Sequence, residues 1–239
     1  KGSWIMKNQL LVLDILAHNN WDRPIYFVSG QTEDAMGLEE YFQLEGLAYR
    51  LVPVKGVNKS WFEYGRIDTE ILYDNLMNKF SWRGAPDPDV YIDYYHNRTL
   101  TVVRARLNHA RLAKELAAEG DTTRAVQVID RCLELFPVSK MGYDFYFGDI
   151  ISACFAAGQK EKAKELSKDF ADYYAERAGY LLNQMPSVAM YSGAEIANGL
   201  QMMLQAMRVC FDNGETALAE EINTRYNELY ARYAAMNQE

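Results

Sequence analysis

Three stretches that begin with Gly and end with Ala decide the fold: Gly120-Asp-Thr-Thr-Arg-Ala125, Gly158-Gln-Lys-Glu-Lys-Ala163 and Gly214-Glu-Thr-Ala-Leu-Ala219. The Gly can end a helix because it takes a positive φ without a side-chain clash. The Ala five residues later lets the next helix cross the first one closely. The first two stretches start 38 residues apart and the third starts 56 residues further on, against about 34 residues for a tetratricopeptide repeat. They predict three helix pairs of tetratricopeptide type, with a longer connection before the third.

Apolar residues recur at helical spacing on both sides of each stretch. Around the first, Leu112 and Ala113 precede Gly120, and a second helix runs from Ala125 to the helix breaker Pro137, with apolar residues every three or four positions. The second pair is predicted over residues 143–157 and 161–180, and the third over residues 194–212 and 217–236. A mainly α fold follows, with a tetratricopeptide-like helical repeat region over residues 99–239.

Residues 1–98 have a different pattern, in which short runs of β-branched and aromatic residues alternate with helical stretches. The predicted elements are a helix over 8–18, a strand over 25–28, a helix over 38–46, a strand over 48–54 and a helix over 68–80. The first helix is apolar on nearly all sides, so we expect it to be buried. Asp68 or Thr69 is the expected N-cap of the last helix. A strand, a helix and a strand within about 30 residues predict a small βαβ-like α/β segment.

The composition limits the possible classes of function. A net charge of −8, without a cluster of Lys and Arg, argues against a nucleic-acid partner. No apolar run reaches the roughly 18 residues that cross a bilayer, and the best stretch, residues 10–17, is interrupted by Asp14. The chain begins at Lys1 rather than at Met, which indicates a part cut from a longer protein.

Residues capable of catalysis or metal binding are scattered along the chain. Cys132, Cys154 and Cys210 lie in apolar helical patterns and are interpreted as buried free thiols. The three histidines have no carboxylate or Cys at ligand spacing. Neighbouring acids such as Glu39 and Glu40 are interpreted as solvated side chains rather than a glycosidase pair. We therefore expect no catalytic residue, no cofactor and no metal in this chain.

Six aromatic and arginine side chains form the candidate interaction surface: Trp21, Arg23, Tyr26, Arg106, Tyr143 and Phe147. The first three could form a patch that contacts a glycan or a membrane-embedded partner. The alternative, which we favour, is a structural corner where Trp21 packs on the first helix and Arg23 pairs with an acid such as Glu45. The last three fall near the first helices of the predicted pairs, and in a repeat array such helices line the concave face.

Three strings carry a family resemblance: an interrupted one with Lys7-Asn-Gln-Leu10 and Asn19-Asn-Trp-Asp-Arg-Pro-Ile-Tyr-Phe27, then Gln43-Leu-Glu-Gly-Leu-Ala-Tyr-Arg-Leu-Val-Pro53, and Tyr73-Asp-Asn-Leu-Met-Asn-Lys-Phe80. The chain resembles the C-terminal soluble region of a family of bacterial multi-pass membrane proteins of unassigned function, related to protein O-mannosyltransferases. The resemblance covers essentially the whole chain. It implies a parent glycosyltransferase that uses a lipid-linked sugar. The family's catalytic carboxylate lies in a loop between transmembrane helices, outside this chain, and the C-terminal region faces the periplasm at the inner membrane.

Three functional hypotheses follow. The first is a non-catalytic, periplasm-facing domain of a membrane glycosyltransferase, whose repeat groove binds an acceptor protein, a peptide or another partner. The second is a purely structural brace for the membrane-embedded half of the same polypeptide. The third is a soluble enzyme with a cleft between the α/β segment and the repeats. Aromatic and arginine side chains lining an open groove would favour the first, and a groove filled by the chain's own segments would favour the second.

Overall fold

The computed structural model describes residues 5–28, 35–56, 64–184 and 186–236, without the side chains of residues 96, 97, 99, 100, 186 and 187. It forms two compact units, an N-terminal unit (Lys1–Ser81) and a C-terminal unit (Trp82–Glu239). The protein is 68% helical, with a small four-stranded sheet in the N-terminal unit. The prediction of a mainly α fold with a short N-terminal sheet is confirmed. Within the described ranges, no helix combines the length and the apolar character needed to cross a membrane.

The sheet of the N-terminal unit has the strand order β1-β3-β2-β4. Its strands are β1 (Tyr26–Phe27), β2 (Phe42–Leu44), β3 (Tyr49–Leu51) and β4 (Arg66–Ile67). Strand β3 pairs antiparallel with β1 and β2, whereas β4 pairs parallel with β2. Helix α1 (Lys7–His18) precedes the sheet, and α2 (Thr69–Tyr73) with a π-helical continuation (Asp74–Lys79) follows it. The side chain of Asp68 accepts a hydrogen bond from the Ile71 amide at 3.1 Å and so caps α2 as predicted.

The prediction of a βαβ-like segment is wrong. Phe42–Leu44, expected inside a helix over residues 38–46, form β2, and only Glu39–Tyr41 make a short 3-10 turn. The two predicted strands do pair, but they run antiparallel. Every residue of β2 is buried, and β2 lies between β3 and β4 in the sheet. With only three residues, Phe42-Gln43-Leu44, β2 is too short for its alternation of apolar and polar residues to identify a strand.

Helix α1 is exposed, although its apolar sequence predicts a buried helix. None of its residues is buried. Four apolar side chains are between 44% and 62% exposed, namely Leu10, Leu11, Leu13 and Ile15. Only Leu16 packs against the buried core of the sheet, which is formed by Ala35, Phe42 and Leu51. The prediction of a buried first helix is therefore wrong, and the unit carries an apolar helix on its surface.

The C-terminal unit contains the three predicted helix pairs. A π-helical segment (Tyr94–Val102) leads into α3 (Val103–Ala118), and the later helices are α4 (Thr122–Leu135), α5 (Val138–Met141), α6 (Phe147–Ala156), α7 (Lys160–Leu182), α8 (Pro186–Tyr191), α9 (Gly193–Asp212) and α10 (Thr216–Met236). The pairs are α3 with α4, α6 with α7 and α9 with α10. The predicted helix ends hold to within about two residues, except that α4 starts at Thr122 rather than at Ala125 and α6 starts at Phe147 rather than at 143.

The same turn joins the two helices of each pair. Gly120, Gly158 and Gly214 have φ angles of 89°, 79° and 79°. In each turn the amide after the Gly donates to a carbonyl five residues earlier, at 2.8–2.9 Å, which is the Schellman pattern of a helix C-terminus. The alanine that ends each stretch is at most 4% exposed. The paired helices and their turns therefore match the sequence pattern, and their assignment to the tetratricopeptide class stays a prediction.

Helices α3 and α7 are the centres of packing in this unit. Every residue from 105 to 113 on α3 is buried, and α3 packs against α4 and α6. Helix α7 packs against α6, α9 and α10. The third pair thus packs mainly on α7, the second helix of the preceding pair, and less on its first helix α6.

Candidate functional site

A groove in the C-terminal unit is the strongest candidate site. It consists of two adjoining cavities with volumes of about 540 Å³ and 270 Å³. Both are lined by Tyr94, Arg98, Tyr143, Tyr174 and Asn198, and we call the surface defined by these five residues the tyrosine groove. The larger volume lies within the range of about 300–1,000 Å³ that is typical of small-molecule sites.

Four separate parts of the unit supply these residues. The π-helical segment before α3 carries Tyr94 and Arg98, and the Arg98 amide donates to the Asp93 carbonyl five residues earlier at 3.1 Å. Single stretches of π-helix in proteins are often found at functional sites. Tyr143 lies in the connection before α6, and α7 and α9 contribute Tyr174 and Asn198. The groove therefore exists only when the helix pairs are packed together.

A network of aromatic contacts holds the tyrosine rings in place. The centroid of the Tyr143 ring lies 4.7 Å from Phe147, 5.3 Å from Phe170 and 5.1 Å from Tyr173. Tyr174 packs edge-on against Phe170 at 5.1 Å. Rings fixed by edge-to-face packing lose little further freedom when a ligand binds. The rings of Tyr143 and Tyr174 are therefore held in position by their aromatic neighbours.

A buried arginine supports the floor of the groove. Arg106 on α3 is 1% exposed, and its guanidinium lies 2.5 Å from the Asp144 carboxylate. It also donates to the carbonyl oxygens of Gly142 at 2.8 Å and Phe136 at 2.7 Å. Its Cζ lies 5.5 Å from the centroid of the Phe147 ring. Because all these contacts lie within the protein, Arg106 positions the connection before α6 and leaves ligand contacts to its neighbours.

The charged groups around the groove are mostly paired. Arg106 pairs with Asp144, and Arg177 pairs with Glu195. Arg98 has neither an ion pair nor a side-chain hydrogen bond within the described part of the chain, and its Cζ lies 5.2 Å from the Tyr94 ring centroid. The lining therefore contains three arginines and two carboxylates, a net charge of +1, in a chain whose net charge is −8.

The described lining of the groove contains more neutral hydrogen-bonding groups than charged groups without an ion-pair partner. The hydroxyls of Tyr143 and Tyr174 and the amide of Asn198 have no hydrogen-bond partner among the residues that the structure describes. Burial, together with the nearby Asp169 carboxylate, raises the pKa of Tyr143 to about 12, so its hydroxyl keeps its proton at neutral pH. Each of these three groups can both donate and accept a hydrogen bond.

The structure brings together the three site residues predicted in the repeat region. Arg106 and Tyr143 line the smaller cavity, and Phe147 is fully buried beneath the Tyr143 ring. Phe147 therefore supports the groove from below. Sequence reasoning missed Tyr94, Arg98, Tyr174 and Asn198, which come together only in the packed unit.

The residues Trp21, Arg23 and Tyr26 do not form the structural corner favoured from the sequence, with Trp21 packed on the first helix and Arg23 paired with Glu45. Trp21 is 58% exposed, with a φ of 61° that is rare for a bulky residue. The Tyr26 hydroxyl donates to the Glu45 carboxylate at 2.7 Å, and Arg50 approaches the same carboxylate at 3.6 Å. Arg50 thus takes the place at Glu45 that was predicted for Arg23. No hydrogen bond, ion pair or ring contact joins the three patch residues in the described ranges.

The remaining titratable candidates are buried in the core. His109 is fully buried between the rings of Trp82 and Phe136, each with its centroid 6.1 Å away, and its Nδ1 lies 2.7 Å from the Ala105 carbonyl. Burial lowers the pKa of His109 to about 4, so the ring is neutral at pH 7. All three cysteines are buried free thiols, as predicted. Burial raises the pKa of Cys132 to about 12.

Comparison with known protein families links the N-terminal part of the chain to a named family model. The family model named TMEM260-associated domain 2 matches residues 1–71, which are 71 of the 239 residues. The match links the chain to the TMEM260 family through its N-terminal unit. No curated protein and no solved structure matches the chain.

Proposed function

We propose that the chain is a non-catalytic domain associated with a membrane glycosyltransferase, and that its tyrosine groove binds an acceptor polypeptide or another partner. The match at residues 1–71 supports the association, since TMEM260 is a protein O-mannosyltransferase. The resemblance to the bacterial relatives of protein O-mannosyltransferases supports a periplasmic position at the inner membrane. The parent protein would then supply the lipid-linked sugar chemistry and the membrane-embedded half.

Polar groups of the tyrosine groove that lack hydrogen-bond partners in the described structure support the proposal that the groove binds a ligand. Arg98, Asn198 and the two tyrosine hydroxyls face a preformed cavity without partners of their own in the described structure. Binding by such groups is favourable because the ligand replaces water without breaking bonds inside the protein. The carboxylates at the same site, Asp144 and Glu195, are held by arginines, which disfavours their use as an acid–base pair.

A peptide titration tests the proposal. A synthetic Ser/Thr-rich peptide, which carries the hydroxyl groups of an O-mannosylation acceptor, is titrated into the full chain by calorimetry. Replacing Arg98 by Ala should weaken binding by about tenfold or more, because a charged hydrogen-bond donor is lost. Arg208 is exposed on α9 away from the groove, so Arg208→Ala is a control that removes the same charge. Equal affinities of the two variants would contradict the proposal.

The exposed helix α1 favours a second candidate, a structural brace for the membrane-embedded half of the same polypeptide. Seven of its twelve residues are apolar, and none of the twelve is buried. A helix that is apolar on most sides is stable in contact with other apolar surfaces rather than with water. The few charged residues of α1, Lys7 and Asp14, do not form the basic face typical of helices that lie on anionic lipid. A protein surface is therefore the better partner.

Co-purification tests the brace. The chain is expressed together with the membrane-embedded remainder of its polypeptide, and the amount that co-purifies is measured. Leu11→Ser places a hydroxyl on the exposed side of α1 and should reduce the amount recovered. Leu204 on α9, which is 36% exposed, provides the control variant Leu204→Ser. Equal recovery of the native chain and the Leu11 variant would refute the brace.

A further inference from the structure

We infer that the tyrosine groove is a carbohydrate subsite, which binds one pyranose unit of a glycosylated ligand. This inference rests on the proposed function. It adds the part of the acceptor that the groove contacts, which is a sugar unit. On this account the domain holds chains that already carry sugar.

The hydrogen-bonding groups are the first argument. A sugar hydroxyl both donates and accepts hydrogen bonds. The same holds for the hydroxyls of Tyr143 and Tyr174, and for the amide of Asn198, whose nitrogen donates and whose oxygen accepts. All three line both cavities and have no partner in the described part of the protein. A ligand with several hydroxyls around a ring can satisfy them together, whereas an apolar ligand would leave them unpaired.

The charge pattern is the second argument. An acidic peptide or a nucleotide would require several cations without carboxylate partners, and the lining residues that the structure describes offer one. Arg106 is 1% exposed and paired with Asp144, and Arg177 is paired with Glu195. Among the described lining residues, Arg98 has no carboxylate partner, and its Cζ lies 5.2 Å from the centroid of the Tyr94 ring. A single arginine among neutral donors and acceptors suits a neutral polar ligand, to whose oxygens the guanidinium donates.

Shape and rigidity are the third argument. The cavity of about 540 Å³ is in the size range of small-ligand sites and not that of a flat protein interface. Tyr94 is 69% exposed and Tyr173 is 37% exposed at its rim, so aromatic surface is available for the C–H groups of a sugar ring. The rings of Tyr143 and Tyr174 are fixed by their neighbours, which lowers the entropy lost on binding.

Titration of simple glycosides into the full chain tests the inference. The probes are the methyl glycosides of mannose, glucose, galactose and N-acetylglucosamine, followed by chemical-shift changes or calorimetry. At least one should bind saturably, with a dissociation constant on the order of 1 mM. Tyr143→Phe removes one hydroxyl and keeps the ring, and should weaken binding by about two- to tenfold. Asn198→Ala should act in the same direction.

Tyr230→Phe is the matched control, because Tyr230 is an exposed tyrosine on α10 that stacks on Tyr226 and does not line the groove. Its affinity should equal that of the native chain. Absence of saturation by every glycoside, or equal weakening in the Tyr143 and Tyr230 variants, overturns the inference. Saturation by a Ser/Thr-rich peptide without binding of any glycoside also overturns it, and leaves the proposed acceptor binding intact. Binding of glycosides without the peptide supports the inference and removes unmodified polypeptide as the ligand.

Discussion

Replacing Gly158 by Ala tests whether the turn between paired helices depends on a left-handed glycine. Gly158 has a φ of 79°, and a Cβ added there meets nothing within 4 Å. The substitution therefore adds no clash with neighbours and changes only the backbone energy. An L-residue in the left-handed region costs about 1–2 kcal/mol. For a unit of this size, each 1 kcal/mol lowers Tm by roughly 2–4 °C, so the expected decrease is about 2–8 °C.

Thermal unfolding followed by far-UV circular dichroism measures this effect, with Gly193→Ala as the control. Gly193 begins α9, its Cβ would also meet nothing within 4 Å, and it does not have a positive φ. Ala is a better helix former than Gly, so the control should unfold at the same temperature or slightly higher. Gly158→Asn should fall between the native chain and Gly158→Ala, because Asn tolerates the left-handed region. Equal Tm values for Gly158→Ala and Gly193→Ala would refute the reasoning.

Three further predictions concern the cores of the two units. Arg106→Met keeps the volume of the aliphatic stem but leaves Asp144, which is 14% exposed, without its partner, and should lower the free energy of unfolding in urea by roughly 3–5 kcal/mol. Lowering the pH from the usual His pKa of 6.5 to the value of about 4 for His109 in the folded protein should destabilise the protein, because the unfolded chain binds the proton first. The free energy of unfolding should fall by roughly 3 kcal/mol over this range. His109→Phe should remove that part of the pH dependence. Leu11→Ser should change stability by less than about 0.5 kcal/mol, since the side chain is exposed, whereas Leu16→Ala should cost about 1–2 kcal/mol, since it packs partly buried on the sheet core.

Each of these predictions has an outcome that contradicts it. The control for Arg106 is Arg131→Met, which breaks an exposed pair with Glu134 at 2.8 Å and should leave stability nearly unchanged. Similar decreases in the free energy of unfolding for both variants would mean that the buried Arg106–Asp144 pair stabilises the protein no more than the exposed pair does. An unchanged pH profile in the His109 variant would mean that other groups cause the acid sensitivity. A large destabilisation by Leu11→Ser would show that α1 is buried in solution.

The helix pairs could be predicted from sequence because their signals are local. Gly120, Gly158 and Gly214 end helices through a backbone conformation that other residues avoid, and the apolar spacing on either side identifies the helices. The N-terminal sheet depends instead on pairing between distant segments. The sequence predicts a helix where β2 lies, because Glu39 and Glu40 suit a helix and the strand is only three residues long.

The tyrosine groove could be predicted only in part. The aromatic and arginine residues near the first helices of the pairs pointed to Arg106, Tyr143 and Phe147, and these do lie together. Exposure could not be predicted, because it is set by neighbours distant in sequence, and two of the three are buried. Arg98 lies in a π-helical segment, and Asn198 lies on a helix 100 residues later in the chain, so no sequence spacing relates them.

A map of the peptide-binding surface tests the central claim most directly. Amide chemical shifts of the full chain are followed while a Ser/Thr-rich peptide is added to saturation. The account predicts that the largest changes fall at the tyrosine groove, in the segments around Tyr94, Arg98, Tyr143, Tyr174 and Asn198. Largest changes at the exposed Trp21 turn of the N-terminal unit, or no saturable change anywhere in the chain, would contradict it.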